Sequence, residues 1–274
     1  MKGVGTPSPP PLPQGEREQG EGRVEGKLHA RAAVVTGASR QVGVAIAEAL
    51  AADGAAVMLQ YLKGREGAEA AVRRIRGDGG RARIAQADVR DPASVTTLVN
   101  ETVKAYGRLD IFVHNARAAI VRAPFDETPW EVYQEQLDVT VRGAVHAVQA
   151  ATPEMTRQGG GRIVFVLSGL YRDPVKGYAA FATAQAAVVG LSRTLALELG
   201  PSGITVNVVV AGFTVTTKTP HAPPRIQADL AQKTPRRRLA QPGDVAKAVA
   251  FLAAQDVITG LALVVDGGAG LVRG

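Results

Sequence analysis

The stretch Ala32-Ala33-Val34-Val35-Thr36-Gly37-Ala38-Ser39-Arg40-Gln41-Val42-Gly43 decides how this chain reads. Four small or branched apolar residues without polar alternation mark a strand buried on both faces. A glycine turn follows, and from Val42 to Ala52 alanine-rich residues recur at helical spacing. A strand that passes through such a turn into a helix offers an anion unpaired N–H groups and a partial positive charge, and glycine lets the backbone approach a pyrophosphate. A glycine turn can also simply join a strand to a helix, so the flanking pattern has to choose.

Outward from the turn the alternation continues. Apolar runs at Ala56 to Leu59, Ala82 to Ala87, Ile111 to Val113, Ile163 to Leu167, Ile204 to Val210 and Leu261 to Val265 predict strands. Stretches at Glu66 to Arg76, Ser94 to Tyr106, Pro129 to Gln158 and Tyr178 to Leu199 predict helices. Strands without polar alternation, separated by helices, imply an α/β fold: a doubly wound parallel sheet with right-handed crossovers and helices on both faces. For 274 residues, 46% of them hydrophobic, one domain is the prior. Residues 1–26 stand apart, with five prolines among the first 13 residues and Gly/Glu/Arg-rich sequence after them. They read as a disordered tail, or as the result of a start site upstream of one near Val24, and residues 27–274 read as the folded domain.

Composition narrows the chemistry. The chain has no cysteine, which excludes disulfides, thiolate catalysis and cysteine-ligated metal clusters. His29, His114, His146 and His221 show no metal-ligand spacing, so no metal site is expected. The net charge of +7 is dispersed and aromatics make up 4%, a pattern that favours anionic small molecules or an acidic protein over nucleic acid. The run Arg236-Arg237-Arg238 follows a proline and reads as a solvated loop face. No apolar stretch is long enough to span a bilayer without interruption, and the N-terminus carries no signal-type apolar segment, so a cytoplasmic address without a membrane partner is expected.

Seven motifs in order, from the Thr36-Gly37 turn through Gly43, resemble the short-chain dehydrogenase/reductase family. The others are Ala87-Asp88-Val89, Gly107-Arg108-Leu109-Asp110, His114-Asn115-Ala116, Gly161-Arg162-Ile163-Val164 with Ser168, Gly203-Ile204-Thr205-Val206-Asn207, and Asp266-Gly267-Gly268, together spanning roughly Ala30 to Gly274. The resemblance implies a Rossmann-type fold and a nicotinamide dinucleotide held by Gly37, Ser39, Arg40, Val42 and Gly43. It further implies Asp88 and Val89 beside the adenine, Asn115 and Ala116 along the path to the nicotinamide ribose, and Gly212 and Thr214 in the binding set. Members selective for NAD(H) carry an acid at the end of the second strand. Here that place reads Gln60-Tyr61, with Lys63 and Arg65 just beyond and Arg40 in the turn. Cations attract a 2′-phosphate that a carboxylate would repel, so NADP(H) is expected over NAD(H), with Tyr61 and Lys63 contributing.

The catalytic pattern departs from the family. Counting on from Ser168, the family's Tyr falls on Phe181 and its Lys on Gln185. A phenyl ring has no proton to donate to an alkoxide. Thr140 stands at the relay asparagine, Gln41 at the middle glycine of the turn, Arg117 where glycine is common, and Ala211 at the proline before Gly212. A second register fits better: Tyr178, six residues, then Gln185 resembles the spacing of the enoyl-acyl carrier protein reductases. That resemblance implies Tyr178 supporting an enolate oxygen, Ser168 orienting the substrate carbonyl, and Gln185 gripping the ribose. The bland alternatives are an aromatic packing at a helix start for Tyr178 and a local backbone cap for Ser168. The expected substrate is an enoyl or 3-oxoacyl thioester, as in fatty acid biosynthesis, with an acidic acyl carrier protein as partner. Phe213 to Leu230 is expected to be a lid. Small residues along 178–199 imply, by resemblance, a homodimer or homotetramer. The competing expectation is a catalytically impaired dinucleotide-binding subunit that pairs with an active homologue.

Overall fold

Ala32–Val35 is a strand, β1, whose side chains are all out of solvent in the computed structural model, which describes residues 26–216 and 223–272. The other strands are β2 (Ala56–Tyr61), β3 (Arg81–Gln86), β4 (Ile111–His114), β5 (Gly161–Ser168), β6 (Ile204–Ala211) and β7 (Ala262–Val265). Between them lie helices α1 (Gln41–Ala52), α2 (Arg65–Gly77), α3 (Pro92–Tyr106), α4 (Trp130–Leu137), α5 (Gly143–Arg157), α6 (Ala179–Leu199), α7 (Pro224–Gln232) and α8 (Pro242–Ala253). The strands form one sheet in the order β3-β2-β1-β4-β5-β6-β7, and every pair is parallel. This is the single doubly wound α/β sheet that the strand–helix rhythm predicts. The strand order reverses between β1 and β4, and in open sheets of this kind the ligand crevice opens at the carboxyl ends of the strands beside that reversal.

Alternate residues of each strand feed two cores. Ala33, Val35, Val57 and Leu59 pack with Ile46 and Leu50 of α1, Ile75 of α2 and Val249 of α8. Val34, Met58 and Phe112, pointing the other way, pack with Leu98 of α3, Met155 of α5 and Val188 of α6. Both faces of the central strands are therefore covered, which is why they read as unbroken apolar runs. The edges correct that reading. In β3, Arg81, Arg83 and Gln86 are exposed while Ala82 and Ala85 are buried in opposite cores, and β7 is half-exposed, because the two faces of an edge strand are covered only in part.

Three further differences concern helices. The predicted helix Pro129 to Gln158 is α4, a π-helical turn at Asp138–Arg142, and then α5. Helix α8 has no counterpart among the predicted elements; Pro242 opens it and the Asp244 carboxylate accepts the Gln241 N–H at 2.9 Å. Helix α7 begins inside the predicted lid, part of which, 217–222, lies outside the described residues, as does the predicted tail apart from Gly26. Helix α6 is long and apolar enough by composition to cross a membrane, yet it buries Ala180, Phe181, Ala184, Gln185, Val188, Ser192 and Ala196 within this fold. The arginine run behaves as a loop face: Arg238 pairs with Asp244 at 2.6 Å and Arg237 meets Gln232.

At the opposite end of the strands from the crevice, Asp110 ties β1 to β4. Its carboxylate accepts the Ala32 N–H at 2.8 Å, Arg31 at 2.9 Å and two bonds from Arg108 at 2.6 Å. Burial alone would raise its pKa, but the Arg108 guanidinium, the Ala32 N–H and Arg31 outweigh burial and hold it below the usual carboxylate value. A depressed folded pKa contributes stability above the unfolded value of ~3.9 and loses it as pH falls through the folded value. Asp110→Asn is predicted to cost about 2–3 kcal/mol at neutral pH in urea unfolding. The difference from the parent should shrink below pH ~4.

Candidate functional site

The turn after β1 is held from three sides. The Gly37 N–H donates to Gln60 Oε1 at 2.8 Å, and Gln60 Nε2 donates to the Ala87 carbonyl at 2.5 Å, so this buried amide fastens the turn to the ends of β2 and β3. The N–H groups of Asn115 and Ala116 both donate to Thr36 Oγ1 at 3.0 Å, and Asn115 Nδ2 donates to the Thr36 carbonyl at 3.0 Å. Gly37 has φ +64, and a Cβ there would lie 3.0 Å from Ala116 Cα. At Gly43 a Cβ would lie 2.3 Å from the Gly37 carbonyl oxygen. Glycine is thus required at both points by close packing of the turn, α1 and the exit from β4.

Helix α1 begins with no capping side chain and no acidic residue in its first turn. Its leading N–H groups and positive dipole end are the ordinary means of holding a phosphate. Gln41 carries φ +50, the left-handed region, at the place of the middle glycine. Arg40 and Arg117 border this end of the crevice, and neither has an ion pair or hydrogen bond among the described residues. Arg117 keeps solvent contact, yet surrounding protein, and then the like charge of Arg40, push its pKa below the ordinary guanidinium value. Lys63 is exposed, Tyr61 is buried, and Ser39 lies against Gly64, where a Cβ would sit 3.3 Å from the serine oxygen. Val42 and Ala116 are half-buried and Val89 is buried. The Asp88 carboxylate is taken by Arg90, at 2.7 Å from Nη2, which lowers its pKa. Gly212 accepts the Thr214 hydroxyl at 3.1 Å.

His114 entered the sequence reading as part of the His114-Asn115-Ala116 motif, with no role of its own. It is buried, with Nδ1 3.3 Å from Thr36 Oγ1. Because that oxygen already accepts two N–H groups, its proton points to His114 Nδ1, which leaves the imidazole proton on Nε2. Nε2 faces the backbone of Val139 and Thr140 in the π-helical turn without a hydrogen bond, and Thr140 Oγ1 is likewise buried and unbonded. Burial pushes the His114 pKa down to about 4.

At the other end of the crevice the Gln185 side chain, 3% exposed, accepts the Ser168 N–H at Oε1, 2.8 Å away. The Ser168 hydroxyl accepts the Leu170 N–H at 3.4 Å, which is the local-cap arrangement. Ser168 and Gln185 are therefore brought together, but through the serine backbone. Phe181 is 2% exposed and belongs to the core. Tyr178 sits at the start of α6, half-buried, with the Arg122 guanidinium 5.7 Å from its ring centroid. Its hydroxyl has no hydrogen bond among the described residues.

Two outcomes follow. Gln185→Met should cost about 1–3 kcal/mol in urea unfolding, because it strands the Ser168 N–H. A histidine whose folded pKa is depressed lets the unfolded chain bind the extra proton first, so parent stability should fall as pH drops from ~6.5 towards about 4. His114→Asn should lack that component of the pH dependence.

A crevice at the β1/β4 reversal, uncapped helix amides and two unpaired guanidinium groups fit the diphosphate of a dinucleotide. The family model described as "Enoyl-(Acyl carrier protein) reductase" matches residues 37–270. A 3-oxoacyl-[acyl-carrier-protein] reductase FabG of Staphylococcus aureus is 35% identical over 244 residues, which cover 87% of this chain and 97% of that protein. The structure of a short-chain type dehydrogenase/reductase from Mycobacterium ulcerans superposes with a TM-score of 0.85 at 28% identity, covering 90% of this chain and 92% of that one. A blue fluorescent protein from a metagenomic library, crystallised in complex with NADPH, superposes with a TM-score of 0.81 at 36% identity, covering 89% and 99%. From its sheet order to its glycine turn, the chain belongs to the short-chain dehydrogenase/reductase family of oxidoreductases, whose fold binds a nicotinamide dinucleotide.

Proposed function

We propose that this protein is an NADP(H)-dependent reductase of a conjugated acyl thioester, with Tyr178 as the group that meets the substrate oxygen. The carrying observation is the division of labour along α6. Phe181 is buried in the core, whereas the Tyr178 hydroxyl, without an internal partner, stands seven residues before Gln185 and so on the same side of the helix. Reduction of a ketone needs an acid at the new alkoxide, and Phe181 supplies none. Reduction of a conjugated double bond needs instead a donor for the charge that develops on the thioester oxygen, which a positioned phenol provides. A nicotinamide dinucleotide held along the crevice would supply the hydride for the β-carbon. The Tyr178 hydroxyl donates to the enolate oxygen, and a solvent proton completes the α-carbon. Arg122 adds positive charge beside the Tyr178 ring.

In this reading the Gln185 Nε2, the end not committed to Ser168, bonds a ribose hydroxyl, and Ser168 bounds the substrate side. Gly37, Ser39, Val42 and Gly43 form the phosphate turn, with Asp88, Val89, Asn115, Ala116, Gly212 and Thr214 along the dinucleotide. Lys63 and Tyr61 favour the 2′-phosphate, with the charge of Arg40 adding to the cationic surroundings, in keeping with the NADPH-bound relative. An acidic acyl carrier protein suits the positive charge of this chain and the exposed Arg122 and Lys176 near Tyr178. The outward face of α6, with exposed Thr183, Ala186, Ala187 and Gly190, suits close approach of a second copy in a homodimer or homotetramer. A cytoplasmic address completes the proposal.

One observation favours a second reading, a dinucleotide-binding subunit without turnover. Ser168 and Gln185 satisfy one another and the local backbone, so neither depends on a substrate for its place. Purified protein mixed with NADPH and crotonyl or longer enoyl thioesters should oxidise NADPH, and Tyr178→Phe should lower kcat about 100-fold. Fluorescence-detected NADPH binding without thioester-dependent oxidation would favour the subunit reading instead.

A further inference from the structure

Two departures from glycine lie on the two sides of the crevice, and they act on an anion in opposite senses. Gln41 places a Cβ and an amide side chain at the start of α1, at φ +50, where glycine lets a diphosphate come down onto the backbone N–H groups. On the other side the chain leaves β4 through Asn115 and Ala116, both bonded to Thr36 Oγ1, with Ala116 Cα 3.0 Å from a Cβ placed on Gly37. Arg117 therefore starts one residue from the turn. Its guanidinium has no carboxylate or hydrogen-bonding partner among the described residues, and neither has that of Arg40. Like charges held close to one another repel, and a doubly charged anion between them turns that repulsion into two charge-assisted contacts.

We infer that Arg117 is a diphosphate-binding residue, and that with Arg40 it forms a side-chain clamp replacing the backbone contact that Gln41 obstructs. The inference rests on the nicotinamide-dinucleotide reading and deepens it. The anion is gripped further from the helix end than a glycine turn would allow, by flexible side chains reaching in from both walls. A guanidinium binds two phosphate oxygens at once through its planar fork, so Arg117 gives orientation as well as charge. The diphosphate is common to both nicotinamide coenzymes. Arg117 consequently contributes equally to NADPH and NADH, whereas a contact to the 2′-phosphate would contribute to NADPH alone.

The test is a fluorescence titration of the full chain with NADPH and NADH at low and high salt, for the parent and for Arg117→Met and Arg117→Lys, each with and without Gln41→Gly. Arg117→Met should weaken both coenzymes about tenfold or more and flatten the salt dependence, while Arg117→Lys, which keeps the charge but loses the fork, should recover only part of the affinity. In the Gln41→Gly background the loss from Arg117→Met should fall to about threefold or less, because the backbone contact returns. An Arg117→Met protein within about twofold of the parent would overturn the clamp. So would a loss confined to NADPH, or an equal loss in both backgrounds. A parent that binds neither coenzyme would instead remove the dinucleotide reading itself, and the clamp with it. Arg117 is exposed and unpaired, so Arg117→Met should melt no lower than the parent by circular dichroism, which separates lost affinity from lost fold.

Discussion

The Thr36 hydroxyl is the point at which the two halves of the sheet are joined at the crevice. It accepts the N–H groups of Asn115 and Ala116 and lies against His114 Nδ1, so one oxygen sets the separation of the β1 turn from the exit of β4. Gln60 does the same on the other side, bridging Gly37 to Ala87. These bonds are buried or part-buried, where an unmade partner is costly, and they leave the turn little freedom to relax around a ligand. The Asp110 hub fixes the opposite ends of the same two strands, so the crevice stands on strands held at both ends.

That frame explains why the crevice can tolerate changed chemistry along its walls. Phe181 joins the apolar core, Gln185 braces β5 against α6, and Ser168 caps a local turn, each a complete structural role. Among the described residues, the Tyr178 hydroxyl on one side and the Arg40 and Arg117 guanidinium groups on the other have no internal partner and are left to a ligand. They are a donor suited to a developing oxyanion and two cations suited to phosphate, and they lie beyond the carboxyl ends of the neighbouring strands β1, β4 and β5.

The α/β alternation and the glycine turn were legible in the chain itself. Burial on both faces leaves continuous apolar runs such as Ala32 to Val35, and close backbone packing admits only glycine at positions 37 and 43. Less legible were the edges: Arg81, Arg83 and Gln86 are exposed although Ala82 and Ala85 feed the two cores, because β3 is the last strand of the sheet and is covered only in part. Helix α8 carried a readable signal in Gln241-Pro242-Gly243-Asp244, a proline at the first helical position with an acid returning to the N-cap.

What the amino-acid order determined by itself was therefore the layer architecture and the identity of the residues at each motif, since both depend on local periodicity and on which side chains lack a proton, a charge or a Cβ. Tertiary structure decided which polar groups are already spoken for. Asn115, Ser168 and Gln185 look like ligand contacts when read along the chain, yet each is bonded to a segment at least 17 residues away, and such pairing exists only once the strands lie side by side. It also brought Arg117 beside the glycine turn, through bonds that span 79 and 80 positions and that no local pattern encodes.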